Sequence, residues 1–155
     1  MMATVYLDTS FVSACVTSRT DPQSVARRET SVDWWSTQSI RHSIFVSAEV
    51  INEVSDPEYP NRDAAAKWVD PLPQLPATET AYELAGLLVK ERVMPGPASG
   101  DAAHVAIATI HGIEYLLSWN VRHLANPNKT LHLRVICERI GLTPPMIVTP
   151  DMLWE

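Results

Sequence analysis

The chain has 155 residues, of which 46% are hydrophobic and 19% charged, and its formal net charge is −6. This is the composition of an ordinary soluble globular protein, large enough to bury a core, and it excludes disulfide scaffolds and low-complexity chains. The acidic balance argues against a general nucleic-acid coating protein, because phosphate contacts dominate that kind of affinity. Cys15 and Cys137 belong to no Cys-x-x-Cys pair and read as reduced, half-buried thiols. Asp8, His104, His111 and Glu114 interrupt every apolar run before it reaches the roughly 18 residues of a membrane span. Asp8 would also fall inside any signal-peptide core, so a cytoplasmic protein with no membrane association is expected.

Strand and helix signals alternate along the chain, which argues for a mainly parallel sheet. Val5-Tyr6-Leu7 is a first strand ending at Asp8, and Thr9 and Ser10 offer hydroxyls to cap a short helix. Asp21-Pro22 starts a longer helix carrying Val25, Val32, Trp34 and Trp35 and ending before Ile44. Ile44-Phe45-Val46 is the second strand, followed by a helix over Ser47 to Val54 that Asp56-Pro57 stops. Arg62 to Val69 reads as an alanine-rich helix, and the proline-interrupted segment Asp70 to Pro76 suits only a short edge strand. Thr78 or Thr80 then caps an amphipathic helix with apolar positions Ala81, Leu84, Ala85, Leu88 and Val89. The loop Pro95 to Gly100 delivers Asp101 to a helix that runs to Gly112, and Ile113 to Ser118 is the next strand. A final helix over Leu131 to Ile140 and a short strand over Met146 to Thr149 complete the chain, which reads as one domain over 1–155.

Four polar residues fall where strands hand over to helices: Asp8, Glu53, Asp101 and Asn120. In an open parallel sheet such positions converge on one crevice. Convergent carboxylates without a basic partner in their motifs suit a hard cation, Mg²⁺ or Mn²⁺. Each residue also has a structural reading. Asp8 can cap the turn after it, and Asp101 is a good N-cap for its helix. Glu49 lies one turn before Glu53 on the same face, and spacing alone does not choose between them. Asn120 adds no charge and fits either a ligand or a simple turn. His104, three residues after Asp101, fits a residue that braces its helix, and the tryptophans fit packing roles rather than base stacking. No phosphate loop, Gly-x-Gly-x-x-Gly, His-Glu-x-x-His or Gly-x-Ser-x-Gly motif is present.

Four segments, Tyr6-Leu7-Asp8-Thr9-Ser10, Val46 to Glu53, Asp101 to Ala106 and Leu117 to Leu124, together resemble the PIN-domain family, and more closely the VapC-like toxins of bacterial toxin–antitoxin pairs. The resemblance implies a three-layer α/β/α fold and a metal-dependent endoribonuclease. It matches the family acids to Asp8, Glu53 and Asp101, with Asn120 at a fourth position that is often aspartate. It makes Asp8, Asp101 and Glu53 the ligands of Mg²⁺ or Mn²⁺. Thr9, Ser10, Arg122 and His123 become substrate-binding candidates, and Arg92, Lys129 and Arg134 further candidates for backbone contacts. RNA substrate, a small antitoxin and a homodimer are the implied partners. The rival reading is a catalytically weak PIN-like module that binds RNA or protein without cutting, and Asn120 and the acidic balance speak for it. A small-molecule phosphatase on a similar scaffold is the third.

Overall fold

Val5, Tyr6 and Leu7 are completely buried, as they must be in a strand with neighbours on both sides and helices over both faces. In the computed structural model, which describes residues 2–155, this strand is β1 (Thr4–Leu7). The elements then follow as α1 (Thr9–Val16), α2 (Pro22–Thr37), β2 (Ser43–Ser47), α3 (Ala48–Val54) and α4 (Arg62–Val69). After them come β3 (Gln74–Leu75), α5 (Glu79–Lys90), α6 (Asp101–Ile110), β4 (Tyr115–Leu117), α7 (Pro127–Arg139) and β5 (Met146–Val148). Short 3-10 turns occupy Ser39–Arg41 and Pro150–Met152. The described strands form one five-stranded sheet in the order β3-β2-β1-β4-β5, and every pairing is parallel. Helices on both faces complete a three-layer α/β/α architecture.

Most of the boundaries follow from local chemistry. Asp21 accepts a bond from the Ser24 amide and Pro22 opens α2, as expected of that pair. Thr78, not Thr80, is the α5 cap: its hydroxyl accepts from the Ala81 amide at 3.2 Å. Thr78→Ala is therefore expected to cost about 1 kcal/mol, read as a melting temperature lower by about 2–4 °C. Gly112 follows α6 with φ +67°, the left-handed turn that glycine permits.

Two expectations need correction. The hydroxyls of Thr9 and Ser10 do not cap α1, because they face His104 and Asp8 instead. Val25, Val32, Trp34 and Trp35 all lie in α2 as expected; Val32 is 45% exposed, while Trp34 is fully enclosed against Phe11 and donates its indole N–H to the Leu153 carbonyl. The last helix begins at Pro127 rather than Leu131, with Asn126 accepting from the Asn128 amide as its cap. Cys15 and Cys137 are both unpaired, as expected, and burial pushes their thiols up to about 12 and about 11. Among the described residues no helix is long and apolar enough to cross a membrane.

Candidate active site

The chain leaves β1 to build β2 and β3 on one side, then returns to build β4 and β5 on the other. The carboxyl ends of β1 and β4 therefore flank the switch point where a crevice opens in parallel sheets. Asp8 stands at that point, and its backbone N–H donates to the Leu117 carbonyl at the end of β4. Although Asp8 occupies the cap position of α1, its side chain makes no capping bond. Its Oδ2 instead accepts from the hydroxyls of Ser10 and Ser118, at 2.7 and 2.8 Å. A carboxylate only 4% exposed is sustained by such bonds and by the charge opposite it.

Asp101 is the first residue of α6, and Gly100 holds the cap position. Its carboxylate is thus not spent on the helix amides, and the capping role does not apply. Oδ2 accepts from Asn120 Nδ2 at 3.1 Å. Asn120 Oδ1 in turn accepts from the His123 amide at 3.0 Å, which fixes which way the amide faces. Asn120 therefore serves a turn and a carboxylate together. Burial and the nearby charge of Asp8 push the Asp101 carboxyl up, while His104, His123 and the Asn120 bond pull it back. Ser118, which donates to Asp8, also accepts from the Asn120 amide, so the two carboxylates are linked through these two residues. His123 Nδ1 is buried without a hydrogen-bond partner.

His104, expected only to brace its helix, is the hub of the site. Its Nδ1 lies 2.6 Å from the Tyr6 hydroxyl, and its Nε2 lies 2.5 Å from Glu53 Oε1 and 3.6 Å from Asp8 Oδ1. Burial alone would pull the imidazole down, but the Glu53 bond and the charges of Asp8, Glu53 and Glu49 raise it to about 9. Both ring nitrogens then donate, so the Tyr6 hydroxyl accepts from His104 and donates to Ser47 Oγ, 2.6 Å away. Ser47 is also the α3 cap, accepting from the Val50 amide. The spacing of His104 to Asp101 hinted at a shared face, but its partners come from β1 and α3.

The two glutamates separate by contact. Glu49 is buried and accepts from the Tyr82 hydroxyl at 2.7 Å, whereas Glu53 is half-buried and reaches His104. Thr9 is 6% exposed, and its hydroxyl is turned toward His104. Ser10 holds both Asp8 and the Trp119 amide. Arg122 is exposed, and its carbonyl accepts from Asn126. Arg92 sits in the turn after α5 with φ +59°, Lys129 donates to the Val93 carbonyl, and Arg134 lines a recess beside Ile113–Tyr115 and Thr143–Met146. Sequence reasoning missed Arg27, whose guanidinium lies 5.2 Å from the centre of the Trp119 ring.

Asp8 and Asp101 fit a magnesium-type ion, which typically takes one or two carboxylates and keeps water or phosphate in its other positions. Glu53 does not join them in this arrangement, because His104 engages it. Accordingly, no three His, Cys, Asp or Glu side chains among the described residues form a ready ligand cluster.

No protein-family model and no curated protein matches this sequence. Solved structures do match its fold. VapC20 of Mycobacterium tuberculosis, described as a sarcin–ricin-loop-cleaving toxin, superposes with a TM-score of 0.58 at 19% identity, over 77% of this chain and 92% of that one. VapBC2 of Rickettsia felis, bound to a DNA fragment from its promoter, gives 0.58 at 13% identity, over 94% and 98%. FitAcB of Neisseria gonorrhoeae gives 0.52 at 16% identity, over 76% and 88%. At these identities the likeness is one of architecture: the chain has the three-layer PIN-like fold that these structures share.

Proposed function

We propose that the chain is a Mg²⁺- or Mn²⁺-dependent endoribonuclease and the toxin of a toxin–antitoxin pair. The observation that carries this reading is the convergence of Asp8 and Asp101 at the switch point, where Ser118 binds both Asp8 and the Asn120 amide and Asn120 binds Asp101. Asp8 and Asp101 would hold the ion. Bound there, it would neutralise the scissile phosphate and lower the pKa of a water for attack on phosphorus.

The rest of the work falls to the chain itself. Ser10 and Ser118 fix Asp8, and Asn120 fixes Asp101. Asn120 brings no charge, but it gives Asp101 a donor where an aspartate would repel it. Glu53 acts on Asp8 through His104, so any direct hold on a cation competes with the imidazolium. The likeness to VapBC2 supports a small antitoxin partner, and the family resemblance extends the reading to a cytoplasmic homodimer.

The test is cleavage of a mixed structured-RNA pool by purified, partner-free protein with Mg²⁺ or Mn²⁺. Cleavage is expected to stop on addition of a chelator and return when metal is restored in excess. Folded protein that cuts nothing with either metal, and whose melting temperature ignores both, would sink the reading. RNA retention without cleavage would instead favour the binding-module alternative, which the Glu53–His104 contact supports.

A further inference from the structure

Beside the acids lies a polar recess of about 460 Å³, lined in part by Ser10, Ser13, Thr17, Arg27, Trp119 and Asn120. It opens between α1, the first turns of α2 and the loop after β4, and it shares Ser10 and Asn120 with the acid site. Such a volume suits a small ligand or one nucleotide. Three features make it a built site. Trp119 is held at two points: its indole N–H donates to fully buried Ser31 at 2.7 Å, and its amide donates to Ser10 Oγ at 2.9 Å. Ser10 is the same residue that donates to Asp8, so the recess is one side chain away from the central acid.

Arg27 is the third feature. Among the described residues it makes no ion pair, whereas Arg19 at the rim is paired with Asp21 and Arg28 donates to the Thr17 carbonyl. A guanidinium held over an indole face by a cation–π contact spends no N–H group on it, and its edge matches two phosphate oxygens. The chain carries only 12 Lys and Arg against 18 Asp and Glu, so a phosphate-bearing substrate must be caught by such a local group.

We propose that this recess binds one unpaired nucleotide of the RNA next to the scissile bond, with Arg27 on its phosphate and Trp119 as the platform that positions Arg27. The proposal rests on the ribonuclease reading and adds to it a nucleotide-binding recess built from Arg27 and Trp119. A duplex can place a nucleotide in such a recess only by unstacking and unpairing it, so an unpaired strand binds more tightly.

The experiment measures binding of a fluorescent single-stranded RNA over a salt series, in chelator, so that cleavage plays no part. Arg27→Gln is expected to weaken binding about tenfold and to lower the slope of log Kd against log salt by about 0.7, the value for one phosphate contact on a single strand. Arg139→Gln, the same charge loss at the exposed end of α7, should change neither. Circular dichroism of each variant confirms that it is folded. An unchanged slope in folded Arg27→Gln, or duplex RNA competing as well as single-stranded RNA, overturns the recess while leaving wild-type cleavage to judge the nuclease. Wild-type protein that neither binds nor cuts RNA overturns both.

Discussion

Asp8→Asn is expected to lower metal-dependent RNA cleavage by about three orders of magnitude, as loss of several kcal/mol of charge stabilisation requires. The fold should survive. An amide oxygen can still accept from Ser10 and Ser118 in place of Oδ2. The damage is electrostatic: Asp101 loses the neighbour whose charge raises it, and a cation loses one of the two carboxylates that suit it. Single-turnover cleavage, with saturating metal and thermal melts alongside, measures this directly. A variant that is folded and cuts within tenfold of wild type would remove Asp8 from the mechanism.

The second large effect concerns stability. His104→Phe should destabilise the metal-free protein by about 3 kcal/mol, near the low end for breaking a buried ion pair. The melting temperature should then fall by about 6–12 °C. The ring is 2% exposed, and its loss strands Asp8 without the charge that faces it at 3.6 Å. The pH dependence has a definite sign. His104 is raised to about 9 in the folded chain, above the roughly 6.5 of an unfolded histidine. Its contribution is therefore complete below pH about 6.5 and fades as pH rises through about 9. Melts of both proteins in chelator should differ most near pH 6 and converge toward pH 10. A constant difference across that range would show that His104 acts by packing alone.

Much of this site is legible in the sequence. Asp8 and Asp101 stand out because each abuts an apolar run, and parallel sheets gather such positions at one edge. The hub is not legible. His104 meets Tyr6 across 98 residues and Glu53 across 51, and no local pattern reports contacts at that distance. The same holds for Arg27 on Trp119, a tryptophan that reads as packing. The late start expected for α7 has another cause. Leu131, Val135 and Ile140 are exposed, so the apolar period of the helix is blurred, and its true start lies in Asn126-Pro127, a signal that repeats Asp21-Pro22.

The central position of β1 has a consequence for the chain as it is made. Its partners are Ser43–Phe45 on one side and Tyr115–Leu117 on the other, so the second pairing must wait until Leu117 has emerged. Pairings this distant in sequence form slowly and late. Asp8 therefore meets Ser118, and Asp101 meets Asn120, only when the sheet closes, and a nascent or truncated chain carries the acids without the crevice. The crevice is thus absent until synthesis has passed Asn120 and β4 has found its place.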